Sequence, residues 1–118
     1  MGFVHHSNYL KYFEIARLEW LFTIGISYKK MEENGILLPV IYSEIKYLYP
    51  LKFDDSFEVK VGIEELPLSR LKLNYEIENY ERKKICLGII HLAFLNSKSH
   101  KPVRAPSKLT SEFKKIMN

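Results

Sequence analysis

Residues 85–95, ICLGIIHLAFL, restrict the possible folds of this chain more than any other segment. Apolar side chains stand at successive positions rather than at every second one, so a strand here needs cover on both faces. A helix can cover one face of the sheet. In a chain of 118 residues we expect the other cover to be a second subunit, although a buried core within one chain would give the same pattern.

The first part of the chain has the period of an amphipathic helix. From residue 8 to about residue 24, apolar side chains recur at spacings of three or four, which predicts one buried stripe. Ser7 or Asn8 is a candidate N-cap and Gly25 a candidate stop. A shorter helical turn is predicted over residues 27–33, closed by Asn34-Gly35. The stripe consists of Tyr9, Phe13, Ala16, Trp20 and Ile24.

The remaining periodic segments predict a sheet and a last helix. Residues 40–49 are rich in β-formers between two prolines, and residues 57–63 and 71–77 alternate apolar with polar side chains. Residues 107–117 return to helical spacing behind Ser107. The predicted order is a long helix, four strands in an antiparallel meander and a short helix, which is an α+β fold with one helix laid across one sheet.

Composition indicates one globular domain over residues 1–118, with 47% apolar and 27% charged residues. The scattered net charge of +4 suits a small phosphate-bearing ligand as well as it suits nucleic acid, but the sequence has no basic run and no nucleic-acid motif, so we do not expect nucleic-acid binding. The lone cysteine, Cys86, excludes an internal disulfide, and its apolar surroundings predict a buried, inert thiol. No stretch is long enough to cross a membrane, so we expect a cytoplasmic protein that does not bind membranes.

Three segments resemble one known family. The opening GFVHHSNYLKYFEIARLEWL is similar to the start of the central helix in hotdog-fold acyl-CoA thioesterases of the 4-hydroxybenzoyl-CoA type. YPLKFDDSFEV resembles the segment that enters their third strand, and HKPVRAP resembles their tail before the final helix. The resemblance covers essentially the whole chain. It implies a hotdog fold, in which a long central helix is wrapped by a curved antiparallel sheet, and a homodimer or homotetramer.

The resemblance also raises a question about the first residues. Members of that family usually carry an N-terminal strand and an Asp-x-x-Gly motif ahead of the histidine-containing turn. Gly2 matches the glycine, so the aspartate would fall before Met1. We therefore expect this chain to be N-terminally truncated relative to the family, with impaired activity. The alternative is a shortened protein that has lost activity or uses another carboxylate.

By resemblance, the candidate catalytic residues are His6, Tyr9 and Glu14. The family places the thioester carbonyl against backbone N–H groups near His6, whose side chain would orient the water or the carbonyl or act as a general base. The alternative for His6 is a capping or surface histidine. Tyr9 is either a pocket wall or a core residue. Glu14 is either a catalytic carboxylate or one half of an ion pair with Arg17 or Arg70.

Coenzyme A is expected as part of the substrate, and its phosphates need cations near a subunit seam. The resemblance points to Ser69 and Arg70 in LSRLK, and more loosely to Lys101 and Arg104 in the tail; solvated surface charge is the alternative for each. The acyl group would lie among apolar residues such as Tyr9, Phe13 and Tyr42. His91 is expected to be a core or interface histidine.

The leading functional hypothesis is thus an acyl-CoA thioesterase without metal or redox cofactor. The alternatives are a non-catalytic module that binds acyl-CoA or acyl-carrier protein, and a hotdog dehydratase, which HHSNY fits less well. No set of His, Cys, Asp and Glu residues has the spacing of a metal site. The Gly-x-Ser-x-Gly motif of serine esterases does not occur in the sequence, which disfavours that class of enzyme.

Overall fold

The computed structural model describes residues 7–52, 55–63 and 65–117. The chain forms helices α1 (Ser7–Thr23) and α2 (Tyr28–Glu33), strands β1 (Ile36–Leu37), β2 (Val40–Tyr47), β3 (Phe57–Ile63), β4 (Arg70–Asn79), β5 (Lys84–Ala93) and β6 (Leu95–Asn96), and helix α3 (Ser107–Met117). This arrangement confirms the α+β class. Ser7 and Asn8, the two candidate N-caps of α1, are its first two residues.

Helix α1 ends where the sequence predicts. Gly25 has φ +83°, its N–H donates to the Phe22 carbonyl at 3.0 Å, and the N–H of Ile26 donates to the Leu21 carbonyl at 2.8 Å. These two bonds form a Schellman motif, which needs a residue in the left-handed region and therefore favours glycine. The short helical turn predicted over residues 27–33 is confirmed as α2, and the Ser27 Oγ caps it by accepting a bond from the Lys30 N–H.

The four long strands form an antiparallel sheet in the order β2-β5-β4-β3. The predicted simple meander is therefore wrong: β3, β4 and β5 follow one another, but β2 lies beside β5 at the opposite edge from β3. The segment between β2 and β3 explains the difference. Leu51 is fully buried and its N–H donates to the Tyr9 hydroxyl, so this connection is held at the start of α1 instead of closing a hairpin.

A second, two-stranded sheet was not predicted. It pairs β1 with β6, and the chain beyond β6 folds back through an isolated bridge between Leu95 and Pro102. Gly35, with φ +86°, turns the chain out of α2 into β1, and its carbonyl accepts a bond from the Ser97 N–H. Two-residue strands carry too little apolar patterning to be recognised in a sequence.

Helix α1 packs directly on the middle of the large sheet. The Phe13 ring, 1% exposed, stacks on Tyr75 of β4 with 4.5 Å between ring centroids. It also lies so close to β5 that a Cβ built on Gly88 would stand 2.5 Å from Phe13 Cε2. Gly88 therefore sets how closely the helix approaches the strand. Farther along α1, Trp20 stacks on Phe113 of α3, with centroids 5.3 Å apart.

The opposite, outer face of the sheet is only partly covered. Leu87 and Ile89 of β5 are each 37% exposed there, although their neighbours on the helix side are buried. On the edge strand β2, Tyr42 is exposed on this face as well, and Val40, Ile41 and Tyr47 are exposed along the edge of the sheet. Both faces of β5 are thus apolar in the structure: a helix covers one face, and the other is exposed apolar surface.

Candidate functional site

A cavity of about 520 Å³ opens on the outer face of the sheet, near the edge formed by β2. It combines a cation, a hydroxyl and an imidazole with apolar walls, which is the composition expected of a site for a polar ligand. The residues that line it are Ile41, Tyr42, Ser69, Arg70, His91, Ala93 and Pro102. We refer to it as the outer-face cavity.

Strand register brings these side chains together. Across β2, β5 and β4, His91 stands opposite Tyr42 on one side and Lys72 on the other, and Arg70 stands opposite Ala93. The rings of Tyr42 and His91 lie 5.1 Å apart. The Tyr42 hydroxyl donates to Glu44 at 2.7 Å, and this bond to a carboxylate raises the pKa of Tyr42. The phenol therefore stays protonated at the side of the cavity.

The tail before α3 closes the cavity at its other end. The Phe94 N–H donates to the Ser69 carbonyl at 3.0 Å, and the Val103 N–H donates back to the Phe94 carbonyl at 2.8 Å. These bonds position Pro102 as part of the wall. Lys101 and Arg104 are exposed on the same short segment, although neither lines the cavity itself.

The electrostatics of this region favour an anion. Arg70 is exposed, and no acidic side chain among the described residues forms an ion pair with Arg70, Lys101 or Arg104. By contrast, Lys72 of β4 is held by Glu65 at 3.3 Å. An unpaired guanidinium beside a hydroxyl is well suited to a phosphate group.

The start of α1 forms a separate aromatic cluster. Tyr9 is 3% exposed, its hydroxyl accepts the Leu51 N–H at 3.4 Å, and its ring meets Tyr47 edge-on with centroids 5.3 Å apart and Tyr12 at 6.1 Å. Burial raises the pKa of the Tyr9 hydroxyl, against the lowering effect of the Leu51 bond. In this position Tyr9 holds the β2–β3 connection, which is the core alternative considered for it.

The other two predicted catalytic residues are His6 and Glu14. His6 lies outside the described residues. Glu14 is exposed on α1, and within the described ranges it forms no ion pair with Arg17 or Arg70. Arg17 instead donates to the Tyr75 hydroxyl at 3.4 Å, so the ion-pair alternative for Glu14 is wrong in the described part of this chain.

The structure changes two of the expected placements. His91 is not a core residue, because it is half-buried and lines the outer-face cavity with Arg70; the alternative of an interface histidine stays a prediction. The predicted acyl path through Tyr9, Phe13 and Tyr42 is also wrong within one chain: Tyr9 and Phe13 are buried residues of α1 on one side of the sheet, while Tyr42 lies on the outer face. A register shift between Val40 and Tyr42 determines which face Tyr42 takes, and no sequence pattern indicates it.

Comparison with known proteins decides the family. A model described as the thioesterase-like superfamily matches residues 1–113. The chain belongs to this superfamily. A DHNA-CoA thioesterase from Staphylococcus aureus is similar to it in structure, with a TM-score of 0.91 and 28% identity over 99% of this chain and 80% of that one. The hotdog fold expected from the resemblance is thereby confirmed.

Curated members of the superfamily match over shorter stretches. A putative esterase from Aquifex aeolicus is 42% identical over 74 residues, which is 63% of this chain and 58% of that protein. A putative acyl-CoA thioesterase from Bacillus subtilis is 34% identical over 79 residues, 67% of this chain and 57% of that protein. The matches thus span under two thirds of the length of these relatives.

The only cysteine of this superfamily member is not a nucleophile. Cys86 lies on β5, fully buried, and burial raises the pKa of its thiol to about 11. A thiol with so high a pKa stays protonated near neutral pH and reacts slowly. The prediction of a buried, inert thiol is confirmed.

Two observations concern metals and membranes. Over residues 7–52, 55–63 and 65–117, no group of three or more His, Cys, Asp and Glu side chains is arranged to hold a metal ion. Among the helices of the same residues, none combines the length and apolar character needed to cross a bilayer.

Proposed function

We propose that this protein is an acyl-CoA thioesterase, which hydrolyses an acyl-CoA thioester to a free acid and CoA. The match to the thioesterase-like superfamily over residues 1–113 carries the proposal. Two further observations support it: relatives of this chain are named acyl-CoA thioesterases, and Arg70, which forms no ion pair among the described residues, lines a cavity with Ser69 and His91. In this reaction water adds to the thioester carbonyl, and the tetrahedral intermediate expels the CoA thiolate, which takes up a proton.

We assign the outer-face cavity to the CoA moiety. Arg70 would hold a phosphate, with Ser69 and His91 as hydrogen-bonding neighbours, and Lys101 and Arg104 would add positive potential beside it. The reacting carbonyl would lie at the start of an α1 helix, where first-turn N–H groups lack partners inside the helix. Because α1 and the outer-face cavity lie on opposite faces of the sheet, that helix would belong to the second subunit of the dimer proposed below. The role of His6 there stays a prediction, as do those of Tyr9 and Glu14. No metal or redox cofactor enters this scheme, and a reducing, cytoplasmic location agrees with the single buried thiol.

The test is release of CoA, measured as free thiol with Ellman's reagent, from a panel of short-chain, long-chain and aromatic acyl-CoAs. Because Cys86 is buried, the native protein should contribute almost no thiol background. We expect turnover with at least one acyl group. Binding of acyl-CoA without turnover would favour the non-catalytic binding module instead, and release of water from a hydroxyacyl thioester would favour a dehydratase.

We also propose that the chain acts as a homodimer or homotetramer joined along β2. An edge strand with an apolar surface is the usual place for a second sheet to pair, and Ile41 on this strand is 45% exposed.

Sedimentation equilibrium at micromolar concentration should give a dimer or a larger assembly. Ile41→Lys should shift it toward monomer by placing a charge at the seam. Leu68→Lys, at a 69% exposed position outside the strands, is the control and should leave the assembly unchanged; a wild-type monomer would contradict the proposal.

A further inference from the structure

A second cavity, of about 500 Å³, lies where the end of α1, helix α2 and the start of α3 meet. Its inner wall is formed by the buried side chains of Ile26, Met31 and Leu109. Phe22 stands at its rim and is 75% exposed, an unusual position for so large an apolar ring. We call it the helix-end cavity. It shares no lining residue with the outer-face cavity.

The charges at its mouth are positive and unneutralised. Lys30 of α2 and Lys108 of α3 both line the cavity and both are exposed. Across the part of the chain that the structure describes, neither forms an ion pair, whereas Lys60, Lys72, Lys84 and Lys115 each do. The first turn of α3, which includes Lys108, also directs unpaired backbone N–H groups toward this end of the helix.

We propose that the helix-end cavity binds a free medium-chain fatty acid. The carboxylate would lie between Lys30 and Lys108, and the hydrocarbon tail would cover the apolar wall and Phe22. The volume is within the range of small-molecule sites. An apolar wall bordered by two exposed lysines that form no ion pair in the described part of the chain complements a molecule that has one anionic head and one apolar tail. This inference stands independently of the thioesterase proposal.

Isothermal titration calorimetry of the full chain with hexanoate, octanoate and decanoate tests the proposal. Saturating CoA is present throughout to occupy the outer-face cavity, so that binding of the fatty acid to that cavity does not contribute to the measured heat. Each added methylene should tighten binding about fourfold, equivalent to ~0.8 kcal/mol. Decanol, which lacks the carboxylate, should bind more weakly than decanoate.

Matched variants assign the site. Lys30→Gln and Lys108→Gln should each weaken decanoate binding about threefold, whereas Lys29→Gln, on α2 but outside the cavity, should not. Phe22→Ala removes an exposed ring and should weaken binding without unfolding the chain. No heat of binding at millimolar decanoate, or equal affinity in the variant with both lysines replaced, would overturn the proposal. So would a change of sedimentation in Phe22→Ala together with no binding of the acid, since a second copy would then cover the cavity.

Discussion

Replacing Gly88 with alanine should lower the free energy of unfolding by about 1–3 kcal/mol, the usual cost of overpacking a tight core. The added Cβ would stand 2.5 Å from Cε2 and 2.8 Å from Cζ of Phe13. The Phe13 ring cannot simply turn away, because it is buried against Tyr75. The helix must therefore move off the sheet. Thermal unfolding should show a fall in Tm of about 4 °C for each kcal/mol.

Gly62→Ala is the matched control. Gly62 lies on the edge strand β3, and a Cβ there meets nothing within 4 Å, so its stability should change by less than about 0.5 kcal/mol. Phe13→Leu in the Gly88→Ala background should recover part of the loss by shortening the side chain that clashes. Equal melting temperatures for Gly88→Ala and Gly62→Ala would contradict the close approach of α1 to β5.

Arg70→Gln should raise KM for acyl-CoA about tenfold and leave kcat nearly unchanged. The substitution removes one charge-assisted hydrogen bond to a phosphate, and ~1.4 kcal/mol corresponds to a factor of ten. The phosphate is remote from the reacting carbonyl, so this contact stabilises the ground state and the transition state equally. Steady-state kinetics on an acyl-CoA that the protein hydrolyses would measure the split.

Arg82→Gln is the control for this experiment, since Arg82 lies in the β4–β5 turn and is highly exposed. It should leave both constants unchanged. Added salt should raise KM of the wild type more than that of Arg70→Gln, because screening weakens exposed charge pairs. An unchanged KM in Arg70→Gln, or an equal rise in both variants, would mean that the CoA phosphates bind elsewhere.

Local patterns in the sequence were sufficient to predict most elements. The 3.6-residue stripe predicted α1, and Gly25 and Ser27 marked the ends of two helices through hydrogen bonds that involve only near neighbours. The alternation in residues 71–77 predicted the buried face of β4, where Leu71, Leu73, Tyr75 and Ile77 are all buried. Such features depend on a few adjacent residues, which is why they can be read without a structure.

Long-range pairing could not be predicted in the same way. The position of β2 beside β5 depends on pairs such as Tyr42 with His91, which are 49 positions apart (91 − 42) in the sequence. The same limit applies to the site. Ser69 and Arg70 were named from a resemblance, but His91 joins them only through the register of β4 and β5, and a one-residue slip would have placed it under the helix.

A titration of CoA into the ¹⁵N-labelled full chain tests the assignment of CoA to the outer-face cavity most directly. We expect the amide resonances of residues 41–42, 69–70, 91 and 93 to shift together, and Arg70→Gln to weaken the affinity for CoA about tenfold. Shifts confined to the helix-end cavity, or no shifts at millimolar CoA, would contradict it.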